Sequence, residues 1–202
     1  MKCTGLMIIL IFAFCFFGCE KEKRTPRIVI GTGEVVTETI SVSSFHSLRI
    51  LGIELLTIKT GDNQEVKLSA QQNIIDAIER NVNDGILILD LSKVTVTTTK
   101  PVSVEIIHPD LTKVTLEGIG NFELDGEHRP EIDLEFAGTG NLDAYYLYLS
   151  VCNFILSGSG NCEIRVDSIL NVFLSGIGNV TYYGDPELTT TITGTGNVVD
   201  GG

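Results

Sequence analysis

The chain has 202 residues, 43% of them hydrophobic, with no tryptophan and a formal charge of −12. That length holds one domain or one elongated unit, and so acidic a surface would repel nucleic acid rather than collect it, which excludes a nucleic-acid partner. The three histidines, His46, His108 and His128, stand far apart with no metal-ligand spacing, so neither a metal nor any other cofactor is expected.

Residues 1–19 read as an address. Met1-Lys2 is a short positive start, "LMIILIFAFCFF" is an apolar run of twelve, and Gly18-Cys19 closes it before the charged "EKEKR". Twelve residues fall short of the ~20 that a membrane-spanning helix needs. Gly18-Cys19 resembles the lipobox of bacterial lipoproteins, in which the cysteine receives lipid and becomes the mature N-terminus. The expectation is a lipoprotein-type signal peptide over 1–19 with lipid attachment at Cys19, a short tether over 20–27, and a single domain over 28–202 whose membrane partner is reached through the lipid. An ordinary secretory signal is the alternative, and either one exports the protein. Without those nineteen residues 13 Lys and Arg face 26 Asp and Glu, a formal charge of −13.

From residue 28 to 117 the chain favours strands. "RIVIGTGEVVTETISV" holds a Gly-x-Gly at Gly31 and Gly33, followed by Glu34. After "SLRILGIELLTIKTGDNQEVKLSAQ" comes one helical stretch, "NIIDAIERNV" (73–82), with Ile74, Ile75 and Ile78 on one face, predicting a short helix that turns the chain at an edge. "GILILDLS", "VTVTTT" and "VSVEIIHP" continue as strands, and no linker divides the chain.

Then one motif recurs five times: Gly118-x-Gly120-Asn121, Gly138-x-Gly140-Asn141, Gly158-x-Gly160-Asn161, Gly176-x-Gly178-Asn179 and Gly194-x-Gly196-Asn197, at intervals of 20, 20, 18 and 18 residues. A phosphate-binding loop would need a helix after each glycine turn, and none follows. Fixed periods near twenty point instead to a solenoid. At positions −6, −4 and −2 before each first glycine, twelve of fifteen residues are aliphatic or aromatic, whereas only Ile155 and Phe173 are apolar at −5 and −3. That alternation makes each coil a half-buried strand. Stacked in register, the glycines form corners at positive φ and the asparagines form an amide ladder, so the motif is structural.

Four further features carry candidate chemistry. Cys152 and Cys162 flank the Gly158 corner and read as two small buried hydrophobes, with a bridge as the alternative. Asp167-Ser168-Ile169 fits a short O-glycosylation acceptor pattern, which makes Ser168 a candidate. Ile155 and Phe173 share one outward column and would form a small contact patch for self-association. After each corner, Glu123, Asp143 and Glu163 stack in one outward column while Tyr145, Arg165 and Tyr183 stack in the next. Like charges on neighbouring strands repel, and Arg165 between two tyrosines gains a cation–π contact. This candidate ligand face would recruit a hard cation such as Ca²⁺, present aromatic and acidic groups to a sugar, or simply be solvated.

The order "GTGEVVTETISVSSFHSLRI", "TIKTGDNQEVKLSAQQNIIDAIERNV", "GILIL" and serial Gly-x-Gly-Asn coils resembles the family called putative auto-transporter adhesin, head GIN domain, over nearly the whole exported chain. The resemblance implies an all-β fold, a single-stranded right-handed parallel β-helix with coils of about 18–20 residues, in secreted or lipid-anchored bacterial proteins with an adhesive or envelope role. It offers no catalytic residues. The reading is therefore a non-enzymatic cell-envelope lipoprotein, on the outer membrane or cell surface or alternatively on the periplasmic side, that binds a glycan, a protein or its own kind. The competing class is a β-helix polysaccharide-cleaving enzyme. It would require paired carboxylates, and the outward acids are instead spread along the coils.

Overall fold

The computed structural model describes residues 27–202; the export signal with Cys19 and most of the tether lie outside the described residues. In chain order the elements are β1 (Arg27–Ile30), β2 (Val35–Ile40), β3 (Ser47–Leu51), β4 (Leu55–Thr60), β5 (Glu65–Gln71), α1 (Gln72–Ile75), β6 (Glu79–Asn83), β7 (Ile86–Asp90), β8 (Val94–Thr97), β9 (Ser103–His108), β10 (Lys113–Glu117), β11 (Ile119–Phe136), β12 (Thr139–Leu156), β13 (Ser159–Leu174), β14 (Ile177–Tyr183), β15 (Glu187–Ile192) and β16 (Thr195–Asp200). β1 and β8 form a small parallel sheet, and the other fourteen strands form one sheet.

That sheet corrects the expected architecture. The protein is all-β, but its sheet is mixed and curls into a half-barrel; it is not a single-stranded right-handed parallel β-helix. β2 with β5, β5 with β9, and β6 with β7 are antiparallel, and β10 lies between β11 and the much earlier β3. The periodicity reports that neighbouring strands in the second half stack in register. It carries no information about how the irregular first half pairs, and there the chain reverses.

The expected helix shows why. Only Gln72–Ile75 is helical, with Ile74, Ile75 and Ile78 all buried, and Glu79–Asn83 is already a strand paired to β7. Between them stand Asp84 at φ 49° and Gly85 at φ 73°. Two consecutive positive φ values make the tight hairpin turn whose twist suits antiparallel strands, so the Asp-Gly pair overrides the apolar helical pattern.

The repeat region behaves as its register implies. β11, β12 and β13 are long parallel strands in which Gly120 pairs with Gly140, Gly140 with Gly160, Asn121 with Asn141, and Asn141 with Asn161, and β14 with β16 repeats the match at Gly178/Gly196 and Asn179/Asn197. The inward residues Val114, Leu116, Ile132, Leu134, Phe136, Phe154, Leu156, Leu170, Val172 and Leu174 are buried. Phe122 and Phe136 meet edge to face at 5.5 Å. The last row is the exception: Leu188 and Ile192 are 37% and 45% exposed, because β15 pairs with β13 on one side and has no strand beyond it.

Glycine is required at the corners chiefly by distance. Gly160 has no positive φ, yet a Cβ there would lie 1.7 Å from the Gly140 carbonyl oxygen. The same obstacle recurs at Gly140 against Gly120, Gly158 against Gly138, Gly176 against Gly158, and Gly196 against Gly178. The column also begins earlier than the motif shows: Gly52, at φ 69°, stacks beneath Gly118, and its amide bonds to the Glu117 carbonyl at 2.8 Å. Gly31 and Gly33 lie outside it. Gly160→Ala should therefore cost about 1–3 kcal/mol, the usual penalty of overpacking, whereas Asn161→Ala should cost less; urea unfolding of the two variants checks the order.

Candidate functional site

The outward residues that follow the corners sit where the register places them. Glu123 pairs with Asp143 and Asp143 with Glu163, so the three exposed carboxylates form one row across β11, β12 and β13, extended on either side by Thr57 and Thr181. Local donors moderate the repulsion: the Tyr145 amide donates to Asp143 Oδ1 at 3.0 Å, and the Tyr183 hydroxyl donates to Glu163 Oε2 at 3.5 Å. Partial desolvation, then the Glu163 carboxylate and Tyr145, hold the Tyr183 phenol above its ordinary pKa. Among the described residues no group of three or more His, Cys, Asp or Glu side chains is placed to hold a metal ion, so the calcium reading finds no ligand set.

Tyr145, Arg165 and Tyr183 do come together. The Arg165 guanidinium lies 4.3 Å from the Tyr145 ring centroid, and Tyr145 meets Tyr183 edge to face at 4.6 Å. Two more tyrosines join them: Tyr148, whose ring is 5.1 Å from the same guanidinium, and Tyr146, edge-on to Tyr145 at 5.0 Å. Arg165 Nε is buried without a hydrogen-bond partner, so the rings hold the side chain mainly by packing and cation–π attraction.

Tyr148 escapes the column count because the strands slip. The offset between β12 and β13 is 20 residues at Ala144 and Ile164, falls to 17 at Tyr148 and Arg165, and settles at 18 at Val151 and Ile169. The fall in motif interval from 20 to 18 is the trace of this bulge in the sequence. A bulge re-aims side chains, and here it brings Tyr148 beside Arg165.

The remaining candidates are placed as follows. The Asn ladder forms, with Asn141 Nδ2 donating to Asn121 Oδ1 at 3.2 Å, Asn179 to Asn161 at 3.4 Å and Asn197 to Asn179 at 3.4 Å. A second ladder on the preceding face, Asn171 to Asn153 at 2.9 Å and Asn153 to Asp133 at 2.8 Å, was readable in the same periodicity. Ile155 and Phe173 pair across β12 and β13 and are 38% and 41% exposed. Ser168 is exposed beside the irregularity between Val166 and Ile169.

A buried cluster supports the sheet beside Tyr148. Arg129, 5% exposed, donates through Nη2 to the His108 carbonyl at 2.9 Å and Thr60 Oγ1 at 3.1 Å, and through Nη1 to the Pro109 carbonyl at 3.4 Å. His108 Nε2 donates to the Phe45 carbonyl at 2.8 Å, while Nδ1 accepts the Asp110 amide at 3.0 Å. Burial holds this imidazole below its usual pKa, consistent with the neutral tautomer those two bonds require.

The sequence profile of the family described as putative auto-transporter adhesin, head GIN domain, matches residues 44–135 and 130–186. The chain belongs to this family. The fold of this head GIN protein is also found in the crystal structure of a putative adhesin from Bacteroides fragilis NCTC 9343, at 15% identity over 85% of this chain and 99% of the other, with a TM-score of 0.57. A putative adhesin from Parabacteroides merdae ATCC 43184 aligns at 15% identity over 86% and 99% of the two chains, with a TM-score of 0.47. A putative lipid binding protein from Parabacteroides distasonis ATCC 8503 aligns at 16% identity over 86% and 100%, with a TM-score of 0.45. None of the curated proteins matches the chain.

Cys152 and Cys162 are both free and buried, as two small hydrophobes inside the sheet. Burial pushes the Cys162 thiol up to about 12 and the Cys152 thiol higher still, so neither forms appreciable thiolate near neutrality. A maleimide at pH 7.5 should leave both unlabelled in the native protein and add two labels in denaturant. Native labelling, or no labelling at either position after unfolding, would contradict this arrangement.

Proposed function

We propose that this head GIN protein is a non-enzymatic envelope lipoprotein that binds a glycan or protein partner in an adhesin-like manner, using the tyrosine–arginine face as its binding surface. The observation that carries this reading is the platform itself. Tyr146 and Tyr148 present rings that are 58% and 43% exposed, braced from behind by Tyr145 and Arg165. Rigid aromatic and arginine side chains dominate binding surfaces because they supply large contact area with little rotamer freedom to lose. Membership of the adhesin family supports the same role and an envelope location.

In this reading lipid on Cys19 anchors the domain to a membrane, and the eight-residue tether of residues 20–27 reaches at most about 26–29 Å when extended. Among the described residues no helix is long and apolar enough to cross a membrane. Ser168 is the acceptor for O-linked sugar, and the Ile155–Phe173 pair is a secondary contact for self-association.

Two measurements test the proposal. Fatty-acid labelling in the native host should mark the wild-type protein, and Cys19→Ser should remove the label. Tyr145→Ala combined with Tyr148→Ala should weaken binding on a glycan array or to host proteins by more than about 30-fold, equivalent to the ~2 kcal/mol of a hot spot, with little change in melting temperature. Binding retained by the double variant would move the site elsewhere.

A further inference from the structure

Beyond Tyr148 the sheet carries an open groove of about 560 Å³. Thr60, Asp62, Pro109, Gly126 and Glu127 line it, and Tyr148 is one of its walls. We propose that this groove binds a neutral, hydroxyl-rich pyranose, stacked on Tyr148, with Asp62 and Glu127 accepting hydrogen bonds from its hydroxyls. The inference rests on the adhesin-like reading above and gives that reading a ligand class and a position.

Three observations make the groove a constructed feature. Irregularities flank Tyr148 on both neighbouring strands. Against β13, Tyr148 is the first paired residue after the bulge that follows Ala144. Against β11, Gly126 pairs with Leu147 and Arg129 with Leu149, so Glu127 and His128 together oppose Tyr148 alone. Bulges that aim a side chain are structural investments found beside binding sites.

The floor has been cleared as well. A Cβ on Gly126, at φ 151°, would stand 2.0 Å from Thr60 Oγ1, so any other residue would close the approach between β4 and β11. The rim is fixed from below. Arg129 bonds Thr60 on one side of the groove and the carbonyls of His108 and Pro109 on the other, holding two separate chain segments at one spacing. A groove rigid before binding loses less entropy on binding.

The wall chemistry selects the ligand. A tyrosine ring offers a flat face to the C–H side of a sugar ring, and carboxylates accept from vicinal hydroxyls. The Tyr148 ring is steadied by Arg165 at 5.1 Å, a residue that does not line the groove. Asp62 and Glu127 are exposed, and Asp110 follows Pro109 on the rim. Together with the net charge of the chain they place negative potential over the opening, which disfavours uronic acids, sialic acids, sulfates and phosphates. The volume falls within the range of small-ligand sites and suits one or two sugar rings.

The test uses the full-length protein and a panel of named disaccharides: lactose, cellobiose and mannobiose as neutral probes, a glucuronic-acid-containing hyaluronan disaccharide as the acidic one, and a lysine-rich peptide as the cationic competitor. Saturation-transfer NMR should show the ring protons of at least one neutral probe in contact with protein, with no transfer to the acidic probe. Asp62→Asn with Glu127→Gln, isosteric changes at exposed positions, should lower the affinity of that probe at least tenfold without moving the melting temperature. Loss of partner binding in the Tyr145 variant combined with full binding in the Asp62/Glu127 variant would keep the tyrosine–arginine face and overturn the groove. Transfer only to the acidic probe, only to the peptide, or to none of them would overturn the groove as a neutral-sugar site.

Discussion

The structure depends on a ladder of backbone hydrogen bonds at the glycine corners. Thr139 donates to the Gly118 carbonyl at 2.7 Å, Ser159 to Gly138 at 2.8 Å, Ile177 to Gly158 at 2.9 Å and Thr195 to Gly176 at 2.9 Å. Each bond brings two corners so close that the space a Cβ would fill is occupied by the next carbonyl oxygen. Once corners are locked at that separation, the flanking strands can pair only in register. Register then places like beside like, so apolar side chains meet inside, asparagines bond to asparagines, and carboxylates are forced into one row.

The same constraint explains where chemistry can arise. A strictly repeated sheet offers identical columns and little to distinguish one surface point from another. Departures from the repeat create distinct sites, and they cluster around Tyr148, where β11, β12 and β13 lose and regain their offset. The bulges gather four tyrosines, Arg165 and the groove beside Gly126 into one region. The row of acids contributes charge there, moderated by bonds from the Tyr145 amide and the Tyr183 hydroxyl.

Legibility in the sequence followed the physics of each signal. Alternation identified the buried residues from Val114 to Leu174, and the repeated motif identified the register, because both are local patterns copied row after row. The first half of the sheet was hidden because strand pairing between distant segments leaves no periodic trace. One reversal was nevertheless readable: Asp84-Gly85 is a hairpin signal, outweighed by three isoleucines at helical spacing that are buried on a single helical turn and the residues after it. Gly52 was missed as the first corner because its row reads Gly-Ile-Glu, without the second glycine or the asparagine. Tyr148 was missed because counting from the glycines assumes no bulge, and the shortening of the interval from 20 to 18 was the only warning.

Hydrogen exchange at the corner amides tests the central claim most directly. Thr139, Ser159 and Ile177 are exposed residues, and in an ordinary surface turn their amides would exchange quickly. If the corners bind the sheet together, the amides of Thr139, Ser159 and Ile177 should be protected as strongly as those of the buried Phe154 and Val172, exchanging only when the whole repeat region opens. Rapid exchange at these amides while Phe154 and Val172 stay protected would show that the strands hold the corners, and that the glycine ladder is a consequence of the fold rather than its cause.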